Sequence, residues 1–285
     1  MPVLKAINYL SFPGGLDNTF DMFEAITAAK ELGYEALEPC IADTGVLTPE
    51  ATEAQCKAIV EAAEKEGIAI QSVCSGTYWS RSLGDSDLGT RNLAQEDLRK
   101  MIQISAWLGA KTLLVIPGAV DVFFLPDRAP QPYDQVESNA IRGLRAALPD
   151  AVRHQVRLGI ENVWNRFLLS PMEMAGFIDM FDSPWIGAYV DVGNVMPFGY
   201  PEQWLRILDH RVVGVHFKDF KRAVGTAEGF VDLLEGDVDW PEVVRALGEI
   251  GYDGPVCAEL IPEYRHHPMV RVENASRAMD AILGR

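Results

Sequence analysis

The sequence lacks the features of a disulfide-stabilised, membrane-spanning or nucleic-acid-binding protein. Its four cysteines form no CxxC pair, and no apolar run approaches the ~20 residues that a membrane span requires. Basic residues are scarce, since 25 Lys and Arg stand against 41 Asp and Glu and give a net charge of −16. Nucleic acid and anionic membranes bind to a concentrated basic face, so we expect neither as a partner.

The cysteines and the first residues indicate a reducing compartment. Cys74 and Cys257 lie in apolar runs, where a free thiol behaves as a small hydrophobe. Met1-Pro2-Val3 leads almost directly into a strand pattern, without the basic and hydrophobic regions of a signal peptide. We therefore expect a cytoplasmic protein.

Alternating strand and helix patterns cover the chain. The apolar fraction of 48% is ordinary for a globular protein with a full core. Eight strand–helix units follow one another between residues 4 and 283 without a linker-like segment. We predict an α/β protein with a single domain over residues 1–285, folded as a (β/α)₈ TIM barrel. A doubly wound sheet is the alternative, and the absence of a GxGxxG turn disfavours it.

Glycine and proline predict several element boundaries. A first helix is expected from residue 18 or 19 to residue 32, before Gly33, and a second over residues 49–65, before Gly67. A polar loop follows the third strand over residues 75–90, and long loops in compact domains are commonly lids or binding loops. A helix over residues 133–156 is expected to break at Pro149.

Four polar residues each close a short apolar run in the second half of the chain: Glu161, Asp191, His216 and Glu259. The ends of parallel barrel strands meet at one face, where the active site forms. Oxygen ligands suit Mg²⁺ and Mn²⁺, and one imidazole adds affinity for transition metals. The sequence therefore predicts a metalloenzyme.

The segments around these residues resemble the xylose-isomerase-like TIM barrel family of sugar and sugar-phosphate isomerases and epimerases. The resemblance rests on Gly159-Ile160-Glu161-Asn162-Val163-Trp164, on Tyr189-Val190-Asp191-Val192-Gly193-Asn194, and on the stretches 215–219, 235–240 and 252–259. It implies one divalent metal ion, Mn²⁺, Mg²⁺ or Co²⁺, held by Glu161, Asp191, His216 and Glu259. Free-ketose 3-epimerases of the family commonly have histidine at the position of Asn194. An asparagine there resembles the branch that contains L-ribulose-5-phosphate 3-epimerases and hexulose-6-phosphate isomerases.

The resemblance implies proton transfer beside the carbonyl of a ketose or ketose phosphate. The metal stabilises an enediolate, while Glu161 or Glu259 removes the proton and a second group returns it. Return from the opposite face gives an epimer, and return to the other carbon gives an isomer. The alternative is a lyase or dehydratase acting on a 3-keto sugar, keto-glycoside or keto-inositol through the same enediolate. An endonuclease on this barrel is disfavoured by the net charge.

Further side chains are candidates for contacts with the sugar. Glu38 closes the second strand and Lys218 follows His216 by two residues, and a structural salt bridge is the equal alternative for each. Trp79 and Trp164 can form a wall against the sugar's C–H face or pack in the core. Asn194 joins this set through the resemblance.

A phosphate group on the substrate would need cationic side chains near the site. The loop cations are Arg81, Arg91, Arg166, Lys218 and Arg222, although a solvated loop charge is the favoured interpretation of each. Guanidinium groups suit phosphate because they donate two parallel hydrogen bonds.

The apolar residues 122–125 could form the interface of a homodimer or homotetramer or pack onto the barrel.

Overall fold

The computed structural model describes residues 3–285 and shows a parallel β-barrel surrounded by helices. Its eight barrel strands are β1 (Lys5–Asn8), β2 (Ala36–Glu38, continued by Cys40–Ile41), β3 (Ser72–Ser75), β4 (Thr112–Val115), β5 (Arg157–Glu161), β6 (Ile186–Asp191), β7 (Val212–Phe217) and β8 (Val256–Ala258). The outer helices are α1 (Met22–Glu31), α2 (Glu53–Glu66), α3 (Leu88–Trp107), α4 (Tyr133–His154), α5 (Pro171–Asp179), α6 (Pro201–Leu208), α7 (Trp240–Glu249) and α8 (Pro268–Leu283). Short helical turns cover Tyr9–Ser11, Thr77–Trp79, Val192–Val195, Asp209–Arg211 and Ala227–Gly229.

The sheet closes on itself at β2. The first segment of β2 pairs with β1, and the second, after Pro39, pairs with β3. The remaining strands pair in parallel in the order β3, β4, β5, β6, β7, β8, β1. The predicted (β/α)₈ barrel is therefore confirmed.

Side-chain caps decide where the first two helices begin. The Asp21 carboxylate accepts hydrogen bonds from the backbone N–H groups of Phe23 and Glu24, so α1 begins at Met22, later than the sequence predicted. Thr52 and Gln55 form a reciprocal capping box at the start of α2. Gly67 ends α2 in the left-handed conformation with φ 71°, as its position predicted.

Helix α4 continues through Pro149, so the predicted break is wrong. Proline removes one backbone donor and normally costs helix stability. Here Pro149 is exposed, so that water can solvate the freed carbonyl, while Leu144, Ala147 and Ala151 pack into the core on the other face. Burial of that face holds the helix together.

A glycine makes room inside the barrel for a large side chain below the strand ends. Tyr189 of β6 is fully buried, and a β-carbon at Gly214 would lie 2.4 Å from its ring. The Tyr189 hydroxyl donates across the barrel to Glu38 Oε2 at 2.6 Å. These side chains form a polar floor beneath the carboxyl ends of the strands.

A buried aspartate folds the chain over the end of β7. The antiparallel segments Asp219–Phe220 and Phe230–Val231 form a small hairpin. The Asp219 carboxylate accepts hydrogen bonds from the backbone N–H of Leu234 at 2.9 Å and from Trp240 Nε1 at 3.0 Å. This places Phe230 beside the polar strand ends.

The four cysteines are free and buried. None of the helices within residues 3–285 is long and apolar enough to cross a membrane. The cytoplasmic location stays a prediction.

Candidate active site

The structure brings together the four polar residues that close β5 to β8. Glu161, Asp191, His216 and Glu259 are buried, and one ligand atom from each lies within 4.8 Å of those of the others. The register of the parallel strands explains the convergence, since Asp191 and His216 are paired positions on β6 and β7. Three carboxylates and one imidazole therefore face one point at the carboxyl end of the barrel.

The two ring nitrogens of His216 face different parts of the site. Nδ1 lies 3.3 Å from Glu161 Oε1 and 3.9 Å from Glu259 Oε2, while Nε2 lies 2.7 Å from Glu38 Oε1. Burial by itself would lower the pKa of His216, but the charges of Glu38 and Glu259 outweigh it and raise the pKa well above its usual value.

The structure places Glu38, a candidate for contacts with sugar hydroxyls or for a structural salt bridge, below the cavity. Its side chain is 0% exposed and lies beneath His216, outside the lining of the cavity. Its carboxylate also accepts hydrogen bonds from Asn8 Nδ2 and the Tyr189 hydroxyl, each at 2.6 Å. The strand end that carries Glu38 turns its side chain into the barrel, where it pairs with His216.

Lys218 lies between two of the carboxylates. Its ammonium contacts Glu259 directly, lies 3.1 Å from Asp191 Oδ2, and sits 5.0 Å from the centre of the Phe230 ring. Gly193 permits this packing, because a β-carbon there would lie 2.8 Å from the Lys218 backbone. Burial opposes the charge, but Asp191 and Glu259 raise the pKa of Lys218 above its usual value.

The carboxylates that face one another have divergent proton affinities. Burial raises the pKa of Glu161 to about 7, and repulsion from Glu259 and Asp191 adds to the effect. Burial also raises the pKa of Asp191. For Glu259 the positive charges of Lys218 and His216 outweigh burial and hold its pKa below the usual value.

The donor set fits a divalent cation. Asp191 Oδ2 is, within residues 3–285, a buried side-chain oxygen that accepts no hydrogen bond, although Lys218 Nζ is nearby. A buried acceptor without a donor costs free energy, as does the repulsion among three crowded carboxylates. A cation among the four ligand atoms would relieve both costs.

A network of amide hydrogen bonds that the sequence interpretation missed holds the strand ends in place. Asn162 Oδ1 accepts from the Asp191 backbone N–H, and Asn162 Nδ2 donates to the Asp191 carbonyl, each at 2.9 Å. Asn194 Nδ2 donates to the Asn162 carbonyl at 3.1 Å, and Trp164 Nε1 donates to the Asn194 carbonyl at 3.0 Å. The asparagine directly after the strand-end Glu161 was the available signal.

A cavity of about 950 Å³ opens onto this cluster. Glu161, Glu259, Lys218 and Asn194 lie on its lining, together with Trp79 and Trp164. A second cavity of about 710 Å³ adjoins it and shares Trp164 and Asn194. The residues that the sequence assigned to substrate binding therefore line the main cavity, with the exception of Glu38.

The loop arginines proposed for phosphate binding have protein partners. Arg81 pairs with Asp43 and Asp97, and Arg91 donates to backbone carbonyls. Arg166 and Arg222 line the second cavity. Arg166 pairs with Asp121 at 3.1 Å, and Arg222 stacks over Tyr200 and donates to the Gly199 carbonyl at 2.8 Å.

A family model described as the xylose isomerase-like TIM barrel matches residues 26–282. The chain belongs to this family. Among curated proteins, it is 27% identical over 253 residues to the L-ribulose-5-phosphate 3-epimerase UlaE of Salmonella heidelberg strain SL476, covering 88% of this chain and 86% of that protein.

Solved structures share the fold. D-psicose 3-epimerase from Clostridium cellulolyticum H10, solved with D-tagatose, superposes with a TM-score of 0.78 at 15% identity and covers 99% of both chains. The 3-keto-D-glucoside 4-epimerase YcjR from E. coli gives a TM-score of 0.77 at 15% identity and covers both chains completely. At these identities the likeness concerns the fold.

Proposed function

We propose that this protein is a divalent-metal-dependent epimerase that acts at the carbon beside the carbonyl of a ketose or ketose phosphate. The observation that carries the proposal is the convergence of Glu161, Asp191, His216 and Glu259 within 4.8 Å at the base of a 950 Å³ cavity. The curated relative that covers 88% of the chain is named a ketose-phosphate 3-epimerase, which supports the same reaction type.

These four residues would hold one Mn²⁺, Mg²⁺ or Co²⁺ ion. When bound, the ion would polarise the ketose carbonyl and offset the negative charge that develops on its oxygen. His216 would present Nδ1 to the site because Glu38 engages Nε2 at 2.7 Å from beneath. Lys218 would remain beside Asp191 and Glu259 and limit the excess negative charge of the site.

Proton transfer is the task of Glu161 and Glu259. Both carboxylates line the cavity, and they stand at the two ends of the four-strand segment β5 to β8. One takes the proton from the carbon beside the carbonyl, and the other returns a proton to it from the opposite face. Inversion at that carbon is the result.

The aromatic lining orients the sugar and excludes water from the reacting carbon. The rings of Trp164 and Phe230 both line the cavity with their centres 4.9 Å apart, and the buried ring of Phe220 supports Trp164 at 5.4 Å. Trp79 packs edge-on against Phe124 at 5.0 Å. Such rings contact the C–H face of a sugar, while Asn194 and Lys218 offer hydrogen bonds to its hydroxyl groups.

Deuterium exchange in D₂O tests the proposal. Metal-stripped protein and protein reloaded with Mn²⁺ are incubated with free and phosphorylated ketoses, and NMR follows exchange at the carbon beside the carbonyl. Metal-dependent exchange with an epimeric product is expected. A product whose mass is lower by one water molecule would indicate the dehydratase reaction. Absence of deuterium exchange with every ketose would refute the epimerase proposal.

A further inference from the structure

The charges around the main cavity distinguish between a neutral and a phosphorylated substrate. Within residues 3–285, the lining of this cavity includes one cationic side chain, that of Lys218. Lys218 contacts Glu259 and lies 3.1 Å from Asp191. Both of its partners belong to the metal cluster, so its charge is already compensated at the base of the site.

The outer part of the same cavity is acidic. Asp17, Asp43 and Glu228 line it, and all three are exposed to solvent. Arg81 is held between Asp43 and Asp97 and lies outside the lining, while Arg166 and Arg222 line the adjoining second cavity. A phosphate dianion in this part of the cavity would meet carboxylates and neutral donors such as Asn18 and Thr44, against a protein net charge of −16.

The acidic rim is well suited to hydroxyl groups. Carboxylates accept hydrogen bonds from sugar hydroxyls, and the rings of Trp79, Phe123 and Phe124 supply apolar faces for C–H groups. Phe123 is 60% exposed although it lines the cavity, so its ring is available at the entrance. Hydroxyl acceptors and aromatic rings, with Lys218 as the one cation of the lining described over residues 3–285, form a site for an uncharged polyol.

We infer that the substrate of this protein is an uncharged ketose and that phosphorylation of the ketose lowers the kcat/KM of the reaction. The inference rests on the proposed epimerase function and narrows it. It separates this chain from its curated relative, whose name specifies a ketose phosphate. The exposed carboxylates of Asp17 and Glu228 are the determinants of this specificity, since the carboxylate of Asp43 is paired with Arg81.

A matched pair of substrates tests the inference with the Mn²⁺-loaded protein. L-ribulose and L-ribulose 5-phosphate differ in the phosphate alone, as do D-fructose and D-fructose 6-phosphate. We expect kcat/KM for exchange to be at least about tenfold higher for the free member of the pair, because like charges in close contact are strongly disfavoured. Added salt should narrow the gap, since the rim carboxylates are exposed.

Charge reversal on the rim identifies the residues responsible. Glu228→Lys should raise the ratio of kcat/KM for the phosphorylated ketose to kcat/KM for the free ketose several-fold, because it replaces a carboxylate that repels phosphate by a cation that attracts it. Glu61→Lys is the matched control, because Glu61 is exposed on α2, lines neither cavity and changes the net charge equally. If Glu61→Lys raised that ratio of kcat/KM values as much as Glu228→Lys, the net charge of the protein would be responsible. That result would overturn the role of the acidic residues at the cavity rim.

The outcomes separate the inference from the function on which it rests. Exchange with the phosphorylated ketose at a higher kcat/KM than with the free one would overturn the inference and leave the epimerase function standing. A loss of that activity in Arg222→Met would then place the phosphate in the second cavity. Exchange with neither member of any pair would refute the epimerase function and the inference together.

Discussion

Glu38 Oε1 lies 2.7 Å from His216 Nε2, and both side chains are fully buried. The other ring nitrogen of His216 points to Glu161 at 3.3 Å. Glu38 therefore fixes the plane of the imidazole from below, in the manner of a carboxylate–histidine pair behind a metal. Asn8 and Tyr189 in turn hold Glu38, so the orientation of His216 is determined by the inner layer of the barrel.

Glu38→Gln should weaken Mn²⁺ binding by about 10–100-fold. The substitution keeps the shape of the side chain but removes the charge that raises the basicity of His216. Competition with a chromophoric chelator measures the affinity, and circular dichroism verifies the fold. Glu61→Gln on the exposed face of α2 is the control. An unchanged affinity in Glu38→Gln would contradict the positioning role.

Glu161→Gln should reduce the rate of proton exchange by about 10²–10⁴-fold, the usual contribution of a positioned acid or base. Because Glu161 is also one of the proposed ligands, the measurement is made at saturating Mn²⁺ with the bound metal quantified. Exchange at the wild-type rate in fully loaded Glu161→Gln would rule out Glu161 as a proton-transfer group. Glu64→Gln on α2 is the control, since Glu64 is exposed and lies on neither cavity.

Lys218→Met should destabilise the metal-free protein more than the metal-loaded protein. Removing one member of a buried ion-pair network costs about 3–5 kcal/mol, and Asp191 and Glu259 would lose their cationic neighbour. A divalent ion would replace the missing charge, so the increase in Tm upon adding Mn²⁺ should exceed that of the wild type. Lys57→Met, at an exposed pair on α2, is the control. An equal increase in both proteins would show that Lys218 does not balance the cluster.

Cys56 should resist thiol reagents in the folded protein. Burial raises the pKa of its thiol from 9.0 to about 11, and the reactive species is the thiolate. At pH 8 the reaction should therefore be slow, and it should accelerate about tenfold per pH unit up to the pKa. Because the thiol ionises at a lower pH in the unfolded chain, the free energy of unfolding falls as the pH rises from 9 towards 11. Rapid modification of the native protein at pH 8, compared with a urea-unfolded sample, would contradict this.

Local sequence signals predicted much of the fold. Gly67 ended its helix as expected because the left-handed conformation costs glycine little. The start of α1 was misplaced because the cap is Asp21, and several polar residues upstream were equally plausible caps. Pro149 did not break α4, since the packing of Leu144, Ala147 and Ala151 on the opposite face outweighs the lost hydrogen bond.

The sequence by itself determined the barrel and the four polar residues at its carboxyl end, because strand periodicity and the residue that follows each apolar run are local properties. The tertiary structure decided the direction of Glu38, which depends on Asn8, Tyr189 and His216 from three other strands. It also decided which cations are already paired, and thereby the acidic character of the cavity rim. Such facts depend on contacts between residues far apart in the chain, and no local pattern records them.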